Sequence, residues 1–171
     1  PVGNPQLRRV AKAFQYADYD KSPRLASYFY WIDPAISQNL FSQEFKSKFS
    51  VYAPERQLIK SLNKLPTNTS DLNKMLYLEQ KHFLTDHNLN YTDKVSMANG
   101  VEVRVPLLDP NLIKHVLSLP DDFKQRGSTG KWIFKKAMEP YLPHNVIYRP
   151  KTGFGAPLRF WMKNDLKPLI D

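Results

Sequence analysis

The 171-residue sequence contains no cysteine, and only six of its residues are glycine. Without cysteine the chain can form no disulfide, thiolate metal site or cysteine nucleophile. Its longest apolar run, residues 25–32, is interrupted by Ser27 and is far shorter than the roughly 20 residues of a membrane-spanning helix. Phosphate-binding glycine loops, His-Glu-x-x-His and Gly-x-Ser-x-Gly are also absent. The commonest nucleotide, zinc-protease and serine-hydrolase signatures are therefore excluded.

The composition is that of a folded, basic protein. Hydrophobic residues make up 42% of the chain and aromatic residues 13%, which argues against disorder. Twenty-five Lys and Arg residues against 16 Asp and Glu give a net charge of +9. That charge indicates either simple solubility or attraction to a polyanion. The length predicts one domain over residues 1–171, and the start at Pro1 without a signal sequence predicts a piece of a longer, cytoplasmic protein.

Fourteen prolines separate the predicted helices. Proline suits the first helical turn, and a preceding Asn, Ser or Asp can cap that turn. Such pairs are Asn4-Pro5, Ser22-Pro23, Asp33-Pro34 and Asp109-Pro110. The helix after Ser22 is predicted to continue through Ile32. From Thr69 a longer helix is predicted to end near Asn88, and a second is predicted over Thr92–Asn99, capped by a left-handed Gly100. Because evidence for strands is thin, we expect a mainly α fold, an irregular helical bundle.

The segment Val101–Asp109 combines apolar and charged residues in a way that predicts a special role. Valines alternate with Glu102 and Arg104, which is typical of a short extended segment. Charges in an apolar surround are costly unless they are paired. One hypothesis is therefore a buried ion pair that holds the loop, and the other is a contact with substrate. Asp109 is predicted to cap the helix that follows.

Cations and glycines occur together in Arg149–Gly155. A loop of this kind can bring a positive charge and backbone N–H groups to an anion, and the compact ammonium of Lys151 suits a developing phosphate charge. Lys131 stands at a predicted helix start, where a cation opposes the helix dipole and so favours a role beyond stability. A solvated basic loop is the alternative. The four histidines lack a shared spacing, so no metal ligand is predicted among them.

Six segments resemble the asparagine synthetase family in sequence and in order. Asp93–Ala98, DKVSMA, is similar to the family's "VDRxSMA" helix, and Val101–Asp109, VEVRVPLLD, is similar to its "LEVRVPFLD" segment. The other segments are Leu117–Pro120, Gly130-Lys131, Leu142-Pro143 and Arg149–Phe154. These motifs lie within residues 84–160, whereas residues 1–83 match only loosely, as a helical connector.

The resemblance implies a function. Such proteins join a glutaminase domain, which releases ammonia, to a synthetase domain that uses ATP and Mg²⁺ to adenylate a carboxylate. Ammonia then displaces AMP to form an amide. The family's Ser-Gly-Gly-x-Asp-Ser loop for ATP is not in this sequence. We therefore expect the C-terminal helical part of an α/β ATP-pyrophosphatase-type synthetase domain, inactive alone, whose partners are the N-terminal half of that domain, the glutaminase domain and a small carboxylate substrate.

The resemblance also assigns site residues. Lys151 matches the catalytic lysine near the ATP phosphates, Gly153 belongs to the same loop, and Lys131 matches a lysine near the site.

Five further residues are expected to shape the ATP and substrate pocket. Glu102 and Arg104 match the "EVR" pair, and Asp109 matches the aspartate after it; together they are expected to form an ion network. Asp93 and Lys94 match "DR", with lysine in place of arginine.

Two other functions remain open from the sequence. The net charge is compatible with a basic helical module that binds nucleic acid, although neither a recognition helix nor an arginine-rich face is evident. The aromatic residues of Tyr28–Trp31 are compatible with a scaffold that binds a protein partner. Of these three functions we favour the ligase. We expect neither a membrane nor a nucleic acid as partner.

Overall fold

The computed structural model describes residues 7, 10, 11, 14–48, 55–150 and 157–169. These residues are mostly helical, and the two-stranded sheet is the only one among them, so the prediction of a mainly α fold is confirmed. The chain forms two compact units, Pro1–Asp121 and Asp122–Asp171. Within the described parts of the chain, every helix is too short or too polar to cross a membrane.

The first unit is a series of short helices around one longer helical segment. Residues 7, 10, 11 and 14 are helical. The elements that follow are α1 (Lys21–Ser27), α2 (Pro34–Gln38), α3 (Gln43–Lys48), α4 (Glu55–Leu62), α5 (Asp71–Leu78), a π-helix (Glu79–Leu89), α6 (Asn90–Met97), a 3₁₀ turn (Pro106–Leu108), α7 (Pro110–Ser118) and α8 (Asp121–Lys124), which starts at the last residue of this unit.

Two of the predicted Asp-Pro caps are confirmed. Oδ1 of Asp33 accepts the backbone N–H of Ala35 at 2.8 Å, and Oδ1 of Asp109 accepts those of Asn111 and Leu112 at 2.9 and 3.0 Å. The carboxylates thus satisfy N–H groups that have no partner inside the helix.

The other two predicted caps have different outcomes. The cap at Ser22 is wrong, because α1 begins at Lys21, so that Ser22 is already helical, and the N–H of Arg24 bonds to the carbonyl of Asp20 at 2.9 Å. The Asn4-Pro5 pair lies outside the described residues.

The helix predicted to reach Ile32 ends earlier, at Ser27, so this prediction is wrong. Short three-residue turns follow it, in which the N–H of Phe29 bonds to Ala26 O at 3.0 Å and that of Tyr30 to Ser27 O at 3.1 Å. A proline disfavours helical conformation in the residue before it. Asp33, which precedes Pro34, has a non-helical ψ of 130°, so the helix that ends at Ser27 and α2 are separate helices.

The predicted break near Asn88 is also wrong. α5, the π-helix and α6 follow one another without a gap, and their junction residues Leu78, Leu89 and Asn90 all have right-handed helical backbone angles. We call residues 71–97 the long helix. The predicted C-terminal cap is confirmed, since Gly100 has a φ of 67°. Its N–H bonds to Met97 O and that of Val101 to Ser96 O, both at 3.0 Å, which is the Schellman pattern.

The core of the first unit joins three helices. Leu25 of α1, Leu62 of α4 and Leu78 of α5 are buried together. Five half-buried residues pack around them: Phe29, Leu58, Leu65, Met75 and Tyr77. An ion pair between Lys21 and Asp71, 2.9 Å apart, links α1 to α5, but both side chains are at least half exposed, so the leucines contribute most of the stability.

A buried tyrosine fixes the segment before α2. The hydroxyl of Tyr16 donates to Oδ2 of Asp33 at 2.7 Å, and Nε2 of Gln15 donates to the same oxygen at 3.1 Å. The Tyr16 bond holds the pKa of Asp33 below its usual value. Burial, followed by the bond to Asp33, raises the pKa of Tyr16 to about 12. The fold therefore favours a charged carboxylate beside a neutral phenol.

The second unit contains a small hairpin followed by short helices. Its elements are β1 (Gln125–Arg126), β2 (Thr129–Gly130), α9 (Trp132–Met138), α10 (His144–Ile147), α11 (Leu158–Lys163) and a 3₁₀ turn (Lys167–Leu169). Arg126 pairs with Thr129, which leaves a Gly127-Ser128 turn with φ of 55° at the glycine. Glycine at the first turn position is typical of a type II′ hairpin.

The polar sequence of residues 121–130 is typical of a loop, but the structure has α8 and this hairpin there. The missed signal was a two-residue Gly-Ser turn between short polar strands. The guanidinium of Arg126 lies 3.8 Å from the centre of the Trp132 ring, so a cation–π contact holds the hairpin against α9.

The fold predicts different costs for two leucine truncations. Leu78 is completely buried, so Leu78→Ala is expected to lower the free energy of unfolding by about 2–5 kcal/mol. Leu40 is 73% exposed, and Leu40→Ala is expected to change it by less than about 0.5 kcal/mol. Urea unfolding followed by circular dichroism measures both values. Equal losses in the two variants would contradict the assignment of the core.

Candidate functional site

α6 carries the first family motif on its surface. Asp93 and Lys94 are both exposed, and Oγ of Ser96 donates to the backbone carbonyl of Asp93 at 3.0 Å. At the end of the helix the amide of Asn99 donates to Val95 O at 2.8 Å. Together with the Schellman bonds of Gly100, this contact fixes the direction in which the chain leaves α6.

Glu102 and Arg104 form the predicted ion pair, with 2.9 Å between Oε1 and Nη2. The hypothesis that the pair is buried is wrong, since their side chains are 68% and 82% exposed. The neighbouring Val101, Val103 and Val105 are themselves 55%, 47% and 44% exposed. The described part of the chain thus presents this whole segment, valines and charges together, at its surface.

Asp109 lies at the end of the same segment but has a different local role. Its carboxylate caps α7, and it belongs to none of the ion pairs formed by the described residues. The N–H of Leu108 bonds to Val105 O at 2.9 Å, so a 3₁₀ turn joins the valine segment to the capped helix. Membership of a pocket-shaping network stays a prediction for Asp109.

Lys131 precedes α9 in an unusual backbone conformation. Its φ of 56° and ψ of 37° are left-handed, and it is the only non-glycine residue with positive φ in the described ranges. Such a conformation costs a residue with a Cβ about 1–2 kcal/mol, and strain of this kind clusters at functional sites. The carbonyl of Lys131 accepts the N–H of Lys135 at 3.0 Å, and its side chain is exposed. The sequence predicted the helix start but carried no signal for the strain.

Lys151 and Gly153 lie outside the described residues, so their predicted roles stay predictions. Of the other candidates, Glu102 and Arg104 are in direct contact. These two, with Asp93, Lys94 and Asp109, belong to the first unit, and Lys131 belongs to the second.

A hydrogen-bonded cluster that the sequence did not indicate lies in the second unit. Oε1 of Glu139 accepts hydrogen bonds from the Tyr148 hydroxyl at 2.7 Å and from Nζ of Lys136 at 2.8 Å. The Lys136 bond, followed by the Tyr148 bond, lowers the pKa of Glu139, and the bond to Glu139 raises the pKa of Tyr148. The spacing of Lys136 and Glu139 could have predicted their pairing. No sequence rule places Tyr148 there.

His87 of the π-helix is part of an aromatic cluster. Its ring centre lies 5.1 Å from those of Trp31 and Phe83 and 5.3 Å from that of Tyr91. Its Nδ1 also lies 2.9 Å from the side-chain oxygen of Asn88. His87 therefore has a packing role, because its contact with Trp31 holds the π-helix against the segment after α1.

A second histidine docks the π-helix on α4. Nε2 of His82 lies 3.0 Å from Oγ of Ser61, which is buried, while its Nδ1 is 4.0 Å from Asp86. A hydroxyl closed off from solvent is not available as a nucleophile, so the contact is structural.

The described residues include no group of three or more His, Asp or Glu side chains able to bind a metal. No residue in these ranges is therefore assigned to Mg²⁺.

The described residues form a mainly helical structure, and the motifs of residues 84–160 follow one another in the family's order. The sequence model of the family described as asparagine synthase matches residues 4–171, which is nearly the whole chain. The chain belongs to the asparagine synthase family, a family of ATP-dependent amide-forming ligases.

Individual relatives agree with this assignment. "Asparagine synthetase [glutamine-hydrolyzing] 1" of Bacillus subtilis is 37% identical over 101 residues, 59% of this chain and 16% of that protein. A putative glutamine-hydrolysing asparagine synthetase of Mycobacterium tuberculosis H37Rv is 37% identical over 90 residues, 53% of this chain and 14% of that protein. The Penicillium rubens protein named "Amidase chyE" is 30% identical over 92 residues, 50% of this chain and 14% of that protein.

The matched segments thus span about one sixth or less of the length of these relatives. No solved structure gives a significant match to the chain.

The exposure of the Glu102–Arg104 pair predicts a small effect on stability. Exposed ion pairs contribute about 0–1 kcal/mol, so Arg104→Gln and Glu102→Gln are each expected to lower the free energy of unfolding by less than about 1 kcal/mol. Urea unfolding of each variant and of the double variant measures the coupling between the two charges. A loss of more than about 3 kcal/mol in either single variant would show a buried pair instead.

Proposed function

We propose that the chain is the C-terminal helical part of the synthetase domain of a glutamine-dependent ligase of the asparagine synthetase type, with both units in one partial domain over residues 1–171. The observation that carries the proposal is the family match over residues 4–171 together with the ordered motifs of residues 84–160. In this reaction a substrate carboxylate oxygen attacks the α-phosphorus of ATP and releases pyrophosphate. Ammonia then attacks the acyl carbon, AMP leaves, and a proton is lost from nitrogen.

Within this proposal the lysines act on the phosphates. The ammonium of Lys151 stabilises the charge that develops as pyrophosphate departs, which is the electrostatic contribution expected of a fixed cation. Lys131 supports this role from the start of α9, where its side chain is exposed and its backbone is held in a strained conformation. Gly153 gives the Lys151 loop its backbone freedom.

Residues of the first unit shape the pocket in this proposal. The Glu102–Arg104 pair presents one charge of each sign on an exposed segment, so either charge is accessible to a polar substrate. Asp93 and Lys94 add a second pair of charges on α6, and Asp109 fixes the end of the segment by capping α7.

The remaining partners are proposed to lie in the rest of the parent enzyme. Relatives named as glutamine-hydrolysing synthetases are several times longer than their matched segments. We infer that the glutaminase domain and the ATP-binding half of the synthetase domain complete the site. The chain alone is then inactive. The intact enzyme acts on a small carboxylate in the cytoplasm. ATP and Mg²⁺ are the cofactors of the parent enzyme in this proposal, and no residue described above is assigned to the metal.

The proposal predicts a sharp difference between the chain and its parent. The isolated chain, given ATP, Mg²⁺, aspartate and ammonia, is expected to form neither AMP nor pyrophosphate, whereas the intact enzyme forms both. Chromatographic detection of AMP and a coupled pyrophosphate assay measure this. Formation of AMP by the isolated chain would contradict its proposed inactivity. If the intact enzyme formed no AMP with aspartate or related carboxylates, with either ammonia or glutamine as the nitrogen source, the proposed ligase function would be overturned.

The role of Lys151 predicts a selective loss. In the intact enzyme, Lys151→Ala is expected to lower kcat for amide formation by about 100-fold or more, because one preorganised electrostatic contact contributes that much to a transition state. Glutamine hydrolysis is expected to stay unchanged. Lys163→Ala, at an exposed lysine of α11, is the matched control and is expected to retain both activities. Equal loss of both activities in Lys151→Ala would indicate misfolding and contradict the assigned role.

A further inference from the structure

An open cleft in the first unit lies between the start of α5 and the end of α7, and we call it the polar cleft. Its volume of about 470 Å³ falls within the range of about 300–1,000 Å³ that is common for small-molecule sites. One of its walls consists of residues around Ser70 and of α5, and the other is residues 117–121, which include a family motif that the proposed function does not use. None of the site residues that the structure describes lines the cleft, so a ligand bound here would be a separate one.

A hydrogen bond between Ser70 and Asp121 joins the two walls of the polar cleft. Oγ of Ser70 donates to Oδ1 of Asp121 at 3.0 Å and accepts the backbone N–H of Asn73 at 3.2 Å. The two bonded side chains come from residues 51 positions apart in the sequence, and both residues are half-buried. The carboxylate is therefore held in place before a ligand arrives, which lowers the entropic cost of binding.

A tyrosine of α5 forms a further part of the lining. Tyr77 is half-buried, and its hydroxyl accepts a hydrogen bond from Nζ of Lys81 at 3.1 Å. The same ammonium lies 5.5 Å from the centre of the Tyr77 ring. These contacts restrain the tyrosine side chain and place one positive charge beside its ring.

The charges in and beside the polar cleft favour a neutral ligand. Among the lining residues, all of which the structure describes, Asp121 is the only charged one, so an anion is repelled. A cation is attracted by Asp121, but the ammonium of Lys81 already lies beside the Tyr77 ring and repels a second cation there. The other polar side chains of the lining are uncharged amides and hydroxyls, and they belong to Asn68, Thr69, Ser70, Asn73, Tyr77 and Ser118.

We propose that the polar cleft binds the ring of a neutral sugar. A sugar ring carries hydroxyl groups around its edge and C–H groups on its faces, so it suits a lining that combines polar and apolar side chains. One ring hydroxyl donates to the carboxylate of Asp121, a charge-assisted bond of the kind by which acidic residues hold ribose in dinucleotide-binding folds. The amides of Asn68 and Asn73 bind further hydroxyls, and the ring packs against Tyr77. A free monosaccharide and the ribose of a nucleoside present this same chemistry, and the proposal does not depend on the ligase function.

The test follows the side-chain amide signals of Asn68 and Asn73 by NMR in the isotope-labelled 171-residue chain. D-glucose, D-galactose and D-ribose are the neutral probes, adenosine is the nucleoside probe, and acetate and tetramethylammonium are the charged probes. We expect at least one sugar to shift both signals with a Kd of about 1 mM, the strength typical of a ligand with about a dozen non-hydrogen atoms. Tighter binding of adenosine than of ribose would identify the sugar as that of a nucleoside.

Two variants test the residues that bind the sugar. Asp121→Asn keeps an oxygen for Ser70 but replaces a charge-assisted bond by a neutral one, so the Kd is expected to rise about fivefold or more. The matched control is Asp122→Asn, at the neighbouring exposed acid outside the lining, which is expected to keep the wild-type Kd. If Asp121→Asn lowers the melting temperature, Asn68→Ala, at an exposed residue, is expected to weaken binding without that loss. No shift with any sugar or with adenosine, equal shifts with a charged probe, or a wild-type Kd in both Asp121→Asn and Asn68→Ala would overturn the proposal.

Discussion

The burial of three leucines, one each from α1, α4 and α5, is the contact on which the first unit depends. Leu78, the most buried of them, is the last residue of α5, and the long helix continues from it to Met97. The Schellman turn at Gly100 then sets the path of the Val101–Asp109 segment. The family motif is therefore oriented by a small apolar core more than twenty residues earlier in the chain. The aromatic contacts of His87 and the Ser61–His82 bond brace the helix between these two points.

Most ion pairs among the described residues are local. Glu44–Lys48, Glu102–Arg104 and Lys136–Glu139 each join residues within four positions of one another, whereas Lys21–Asp71 links α1 to α5, and all four pairs are at least partly solvent-exposed. Such exposed pairs add little to stability. The chain as a whole carries an excess of nine positive charges, and Lys131 is one of the exposed cations among the described residues.

Features that depend on a few neighbouring residues could be predicted from the sequence. The caps at Asp33 and Asp109 and the left-handed Gly100 each involve hydrogen bonds that reach at most five residues along the chain. The pairing of Glu102 with Arg104 could be predicted for a similar reason, because the two residues lie two positions apart in the same extended segment. The burial of that pair was mispredicted because burial depends on what covers a segment, which spacing does not contain. The Tyr148–Glu139 bond was likewise out of reach, since it depends on how α9 and α10 meet. The left-handed backbone of Lys131 was also out of reach, because lysine has no preference for that conformation.

The π-helix determines how the long helix accommodates a change in its number of residues. Its eleven residues include more residues per turn than an α-helix, and π segments are generally an α-helix that has taken in extra residues. Loss of one residue between Glu79 and Leu89 would be absorbed by a turn that returns to α geometry, so the residues after it would keep their direction around the helix axis. In a purely α-helical segment the same loss would rotate Asp93 and Lys94 by about 100°. The π-helix therefore allows this segment to change in length by one residue without turning the motif of α6.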